Sequence, residues 1–254
     1  MTKKIIAVDL DGTLLNSESK LSDFTKETIK KISEKGHHVI ITTGRPYRMA
    51  KDFYRELELH TPMINFNGSL THLPGQAWAH EKCLTLDKKY LLDMVKRTED
   101  IQADFIAGEY RKKFYITTPN EEIADPKLFG VENFRPENQF KPERVTKDPN
   151  CILLQTRAED KYALADEMNR FYQHQLAINT WGGPLNILEC TPKGVNKAFA
   201  LEYLLNVMNR DKKDLIAFGD EHNDTEMLAF AGKGYAMKNA NPALLPYADE
   251  QLPL

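Results

Sequence analysis

Short apolar runs recur along the chain, separated by stretches of helical period and punctuated by Gly, Pro and Asn. Residues 4–9 (KIIAVD) read as a strand buried on both faces, because apolar side chains follow one another without alternation. Ser22 is placed to cap a helix whose apolar positions Phe24, Ile29 and Ile32 approximate helical spacing, with Gly36 at its end. A second strand follows at 38–42 (HVIIT). Pro46 then fits the first turn of a helix that runs to about Leu57. A third short strand at 62–66 (PMINF) stops at Asn67-Gly68. The same texture returns late in the chain, with a helix over 194–208, a strand at 214–218 (DLIAF), a helix at 223–231 and a strand at 234–237 (GYAM). Alternation of strand and helix predicts an α/β fold with a Rossmann-like, doubly wound parallel sheet.

The middle of the chain has a different grain. It reads as a helix at 87–97, strands near 102–107 and 113–118, a Pro-rich polar stretch at 119–150, a strand at 151–156, a helix at 159–173, and strands at 175–180 and 185–190. Hairpin-length gaps between neighbouring strands predict an antiparallel α+β module. The economical arrangement is a core of residues 1–82 and 187–254, split by an inserted domain at 83–186.

Composition changes this picture little. The 254 residues are 41% hydrophobic and 28% charged, within the range of globular domains. A net charge of −3 gives no basic field for nucleic acid. Cys83, Cys151 and Cys190 are scattered and odd in number, so neither a disulfide framework nor a zinc knuckle is expected. Three reduced thiols, and a start too short for a signal peptide, imply a cytoplasmic protein without a membrane segment.

Candidate chemistry gathers at the strand ends, where open parallel sheets bind ligands. Asp9 and Asp11 follow the first strand; Thr42, Thr43, Gly44 and Arg45 the second; Asn67 and Gly68 the third; Asp220 to Asp224 a later one. Strand alternation would point Asp9 and Asp11 to one side and Leu10 away. Two carboxylates that close repel unless a cation or proton joins them. With Asp220 as a third acid and no usable thiols, the oxygen-rich set favours Mg²⁺ over zinc. Thr43 and Gly44 at a helix start, and Lys197 in the first turn of another helix, offer donors for phosphate.

Four motifs in order, Asp9-Leu-Asp11-Gly12-Thr13, Thr43-Gly44-Arg45-Pro46, Lys197 within GVNKAFAL and Gly219-Asp220-Glu-His-Asn223-Asp224, resemble those of the haloacid dehalogenase superfamily of phosphohydrolases. INFNG (64–68) and GYAMKNANP (234–242) point to its Cof-type branch, which carries an inserted α/β cap of the second class. The resemblance covers the two core segments; the cap matches mainly in length and position. It implies that Asp9 is the nucleophile and Asp11 the acid and base. It also implies that Asp9, Asp11 through its carbonyl, and Asp220 hold Mg²⁺. Leu10, Thr43, Gly44, Lys197 and Asn223 would contact phosphate. Lys197 is preferred over Lys193 because it aligns with the motif. Asp224 would orient Lys197 or a metal-bound water, and Arg45 is a supporting residue, binding substrate or forming a salt bridge. His222 occupies a position that varies in the family and reads as an exposed loop residue. Relatives continue past YADEQLPL with another short strand, so the resemblance places that strand outside this chain.

The resulting expectation is a Mg²⁺-dependent phosphatase acting on small phosphorylated metabolites, such as sugar phosphates, as a monomer or weak homo-oligomer. A sugar phosphomutase on the same scaffold and a phospho-accepting signalling domain are the alternatives. The second is disfavoured by length and by the Gly-Asp-x-x-Asn-Asp motif.

Overall fold

The computed structural model describes residues 3–183 and 185–253. Pro184, in a Trp181–Pro184 stretch whose sequence suits a substrate wall or a hinge with a packed tryptophan, lies outside the described residues. In chain order the elements begin β1 (Ile5–Val8), α1 (Asp23–Glu34), β2 (His38–Ile41), α2 (Tyr47–Glu56), β3 (Met63–Asn65), β4 (Leu70–His72) and β5 (Lys82–Cys83). They continue with α3 (Lys88–Lys96), β6 (Ala103–Glu109), β7 (Phe114–Ile116), β8 (Cys151–Thr156), α4 (Lys161–Phe171), β9 (Leu176–Thr180) and β10 (Ile187–Pro192). Last come α5 (Lys197–Val207), β11 (Leu215–Gly219), α6 (Thr225–Phe230), β12 (Lys233–Ala236) and β13 (Glu250–Gln251). The chain divides into two compact units. One holds the residues up to Arg45, Ala50–Cys83 and everything from Val195 onward; the other holds Pro46–Met49 and Leu84–Gly194.

The first unit is built on a parallel sheet in the order β13-β12-β11-β1-β2. A parallel bridge from Thr42 to Ile64 carries the order on to β3. All four residues of β1 are buried, as the unbroken apolar run predicts for a strand covered on both faces. Ile5, Ala7, Ile40, Leu215 and Ala217 pack with Leu201, Leu204 and Leu205 of α5 and Met227 and Leu228 of α6. Ser22 caps α1 by accepting from the Thr25 amide at 3.0 Å. Phe24 is 80% exposed and takes no part in the core, so the apolar stripe of α1 narrows to Ile29 as its buried residue.

β13 is an element the sequence pattern did not mark: Glu250 and Gln251 pair in parallel with Tyr235 and Ala236. The strand is two residues long and exposed, too brief for any periodicity to reveal.

The second unit is an antiparallel sheet in the order β7-β6-β8-β10-β9. One face packs Ile106, Ile152, Leu154, Ile178 and Leu188 against Leu91 and Met94 of α3 and Leu164, Ala165 and Met168 of α4. β10 pairs with β8 and β9, which moves the return point from the expected 186 to Gly194/Val195. The stretch 119–150 is not merely polar linker. Its Phe129 is fully buried, stacked on Phe114 with ring centroids 4.6 Å apart.

Lys161 opens α4 and is buried, 7% exposed. Its ammonium donates to the carbonyls of Trp181 (2.9 Å), Gly183 (3.1 Å) and Leu185 (2.8 Å), satisfying all three of its donors. Charge-assisted bonds of this kind are the strong ones, and their loss leaves carbonyls without a partner. Lys161→Met is therefore expected to lower stability by roughly 2–3 kcal/mol and to speed proteolytic cleavage between β9 and β10. Urea denaturation and limited proteolysis check this, and an unchanged midpoint would contradict it.

Candidate active site

In the parallel sheet the chain leaves β1 in one direction toward β2 and, later, β11 in the other toward β12 and β13. The switch in winding falls between β1 and β11, and a crevice opens at the carboxyl ends of strands at such a point. The register pairs Val8 with Phe218. Asp9 therefore emerges beside Gly219, and Asp220 follows one residue later.

Asp9 is 6% exposed and Lys197 is fully buried. The Lys197 ammonium donates to Asp9 Oδ1 at 2.7 Å and to Asp224 Oδ1 at 2.6 Å. Asp224 Oδ2 accepts from the backbone amides of Asp220 (3.1 Å) and Glu221 (3.3 Å), so both Asp224 oxygens are engaged. Lys193, by contrast, is exposed and belongs to the second unit. Asp220 accepts from the Thr13 hydroxyl at 3.0 Å and from Asn239 Nδ2 at 3.4 Å, both neutral donors. Gly12, at φ +71°, has to be glycine: a Cβ there would run into the Asp220 carboxylate. A Cβ on Gly219 would likewise meet Asp224.

Two carboxylates thus share one ammonium, with Asp220 a third acid close by. Burial raises the Asp9 carboxyl to about 7, against the pull of Lys197 and helped by the charge of Asp224. Burial also raises Asp220, to about 6, opposed by the Thr13 bond. For Lys197 burial acts downward, but Asp224 and Asp9 outweigh it and the ammonium is held more firmly than usual. Both partners of the Asp9–Lys197 pair shift upward, Asp9 chiefly through burial and Lys197 through the charges of Asp224 and Asp9.

The residues fit a hard divalent cation. One oxygen from each of Asp9, Asp220 and Asp224 lies within 4.8 Å of the others. All the candidate ligands are oxygens, the set that Mg²⁺ prefers. Since Lys197 and two amides occupy Asp224, Asp9 and Asp220 are the carboxylates with capacity to spare.

Asp11 lies elsewhere than strand alternation suggests. β1 ends at Val8, and Leu10 to Leu14 form one wide turn, closed by the Leu15 amide on the Leu10 carbonyl at 2.8 Å. The turn, not the pleat, sets the Asp11 side chain. It is 54% exposed and gripped by Arg45, whose Nε and Nη2 donate to its two oxygens at 2.7 and 2.5 Å. Leu10 is fully buried, so only its backbone faces any ligand.

Thr43, 1% exposed, accepts from the Arg45 amide at 3.1 Å, leaving its hydroxyl proton free to donate. α2 begins only at Tyr47, so Thr43 caps this short turn rather than the helix. Gly44 sits against the Asn67 side chain. Asn67, in the left-handed region at φ 51°, accepts from Asn223 Nδ2 at 3.0 Å. His222 is exposed and bonds to its neighbour Glu221. Thr13, Asn67 and Asn239 complete the constellation without having been assigned roles from the sequence. Asn239 also donates to the Gly12 carbonyl at 3.0 Å. The signal for it was the GYAMKNANP segment, and INFNG was the signal for Asn67.

Comparison with known proteins identifies the family. Residues 6–253 match the family model of haloacid dehalogenase-like hydrolases. The 5-amino-6-(5-phospho-D-ribitylamino)uracil phosphatase YitU of Bacillus subtilis (strain 168) is 32% identical over 250 residues, covering 96% of this chain and 90% of its own. A second phosphatase of the same name and organism, YcsE, is 28% identical over 246 residues, covering 97% and 88%. Among solved structures, a haloacid dehalogenase-like hydrolase from Bacteroides thetaiotaomicron superposes with a TM-score of 0.85 at 24% identity, over 98% of this chain and 94% of that one, a likeness of fold. The chain belongs to the haloacid dehalogenase-like hydrolase family and is an enzyme of its phosphatase type.

Proposed function

We propose that this chain is a Mg²⁺-dependent phosphatase that hydrolyses small phosphate esters through an aspartyl-phosphate on Asp9. The observation that carries the reading is the group of three carboxylates around the buried Lys197 ammonium at the switch point of the sheet. Asp9 and Asp220, with the Asp11 carbonyl, would hold the cation. When bound it neutralises charge on the phosphoryl oxygens. Thr43, Gly44, Lys197, Asn223 and the Leu10 amide bind the phosphoryl group. Asp224 keeps Lys197 in place.

In the first half-reaction an Asp9 oxygen forms a bond to phosphorus as the ester oxygen–phosphorus bond breaks. Asp11 gives its proton to the departing oxygen. In the second, Asp11 takes a proton from water as that water attacks phosphorus, the acyl-phosphate bond breaks and inorganic phosphate leaves. The chemistry asks for little covalent rearrangement and much charge stabilisation, which Lys197 and the cation supply. We assign selection of the leaving group to the second unit, which contributes none of these residues. The substrate named for YitU and YcsE is the phosphate ester of a polyol chain, which supports a sugar-like or polyol phosphate as the class. Three free thiols support a reducing, cytoplasmic setting. Among the described residues no helix is long and apolar enough to cross a membrane.

Asp9→Asn is expected to lower kcat by more than about 10³-fold, as loss of a nucleophile does. It should leave the melting temperature at pH 8 unchanged or higher, since it removes one of three crowded negative charges while Lys197 keeps Asp224. Phosphate release and thermal melts test both halves; substantial turnover by the variant would falsify the nucleophile assignment.

The raised carboxyls also set a pH dependence. Asp9 and Asp220 hold protons more tightly folded than unfolded, so their contribution to metal-free stability is full at low pH. It is lost as pH climbs from about 3.8 through about 6 and 7. A cation takes the place of those protons. The rise in melting temperature on adding Mg²⁺ should therefore be larger at pH 8 than at pH 5.5. Paired melts at the two pH values check the order, and the reverse order would sink the metal assignment.

A further inference from the structure

We infer that Arg45 is a positioning residue for Asp11, and that its guanidinium sets the aim of the proton delivered to the leaving group. The inference rests on the reading of Asp9 as nucleophile and Asp11 as acid and base.

Asp9 and Asp11 are anchored by opposite means. Asp9 is fixed by burial and by Lys197. Asp11 has neither advantage: its side chain is 54% exposed and follows a turn whose next residue, Gly12, is at φ +71°. A half-exposed carboxylate without a partner would divide its time among side-chain rotamers. The two parallel bonds from Arg45 remove that freedom, because a planar fork against a planar carboxylate fixes orientation as well as distance.

Arg45 is itself held on three sides. Its amide donates to the Thr43 hydroxyl at 3.1 Å. Its carbonyl accepts from the Phe66 amide at 3.4 Å and from Asn65 Nδ2 at 2.9 Å. Asn65 is in turn bonded to the buried His72 ring at 2.9 Å. The guanidinium lies over the Phe53 ring, 5.5 Å from its centroid, a cation–π contact that limits side-chain swing. A surface ion pair of ordinary kind has no such scaffold. This one runs from a buried polar network to a half-exposed carboxylate, with Arg45 connecting the two.

General-acid catalysis contributes about 10²–10⁴-fold, and misplacement by about 1 Å can cost about 10²-fold. The loss should be selective, since a leaving group that departs readily as an anion needs no proton. The test is kcat/KM across substituted phenyl phosphates from p-nitrophenyl to unsubstituted phenyl, because this parameter reports the steps through cleavage of the ester. In Arg45→Ala the phenyl-to-nitrophenyl ratio is expected to fall by about tenfold or more relative to wild type, with a steeper dependence on leaving-group basicity. Arg45→Lys, which keeps one donor and the charge, should recover part of the ratio and serves if the alanine variant does not fold. An unchanged ratio in the folded variants, whether activity falls equally on all esters or not at all, would overturn the inference and make Arg45 a phosphate ligand or a structural residue. Asp9→Asn assayed on p-nitrophenyl phosphate separates the two levels. Turnover there removes the nucleophile on which the inference rests, whereas no turnover with an unchanged Arg45 ratio removes the Arg45 role alone.

Discussion

The site depends on one buried ammonium. Lys197 is fully enclosed, a position almost closed to lysine unless it is paired. It bridges Asp9, at the end of the first strand, and Asp224, some two hundred residues on in the chain. That bond joins β1 to the segment after β11 and to the first turn of α5, three pieces brought together by the fold. A buried ion pair is poor evidence for stability, because desolvation offsets its attraction. Its retention is better explained by what it leaves behind. One cation between two carboxylates, with Asp220 a third, holds negative charge ready at a point that burial has made expensive for it. In the proposed reaction such a cluster would favour a divalent metal, and the ammonium would meet the phosphoryl charge.

The sheet determines where this charge can be placed. Parallel strands in register, Val8 beside Phe218, deliver Asp9 and Asp220 to one side of the switch point. The approach of their loops is then limited by volume. Gly12 leaves room for the Asp220 carboxylate and Gly219 for the Asp224 side chain. The first motif is thus fitted to the last through Gly12 and Asp220, while Gly219 makes room for Asp224 within its own motif.

Much of this was legible in the sequence, and the reasons are uneven. Apolar runs covered on both faces are long enough to mark the central strands, and acids at their ends mark the crevice. Asp11 was misjudged in geometry, because alternation presumes that the strand reaches residue 11 whereas it stops at Val8 and a wide turn takes over. Phe24 has the right spacing for a core residue, yet it lies in the first turn of α1 and is exposed. The stretch 119–150 hid its buried Phe129, Phe140 and Val145 among prolines and charges, since isolated anchors have no period to detect. Thr13, Asn67 and Asn239 lie in segments the sequence marks, but their hydrogen bonds to Asp220, Asn223 and Gly12 cross long sequence separations, and no local pattern encodes those partners.

The contrast between the two aspartates of the first motif has a mechanistic logic. In its proposed role a nucleophile has to be held still, and Asp9 is enclosed, with one oxygen on Lys197. An acid and base must exchange protons with two different partners in one cycle, a leaving oxygen and then a water. That task suits a carboxylate open to solvent and held by bonds that can lengthen without cost to the core. Two neighbouring residues of the same type thus acquire opposite constraints, one from burial and the other from an arginine at the surface. The difference arises from the turn at Leu10 to Leu14, which turns Asp9 inward and Asp11 out.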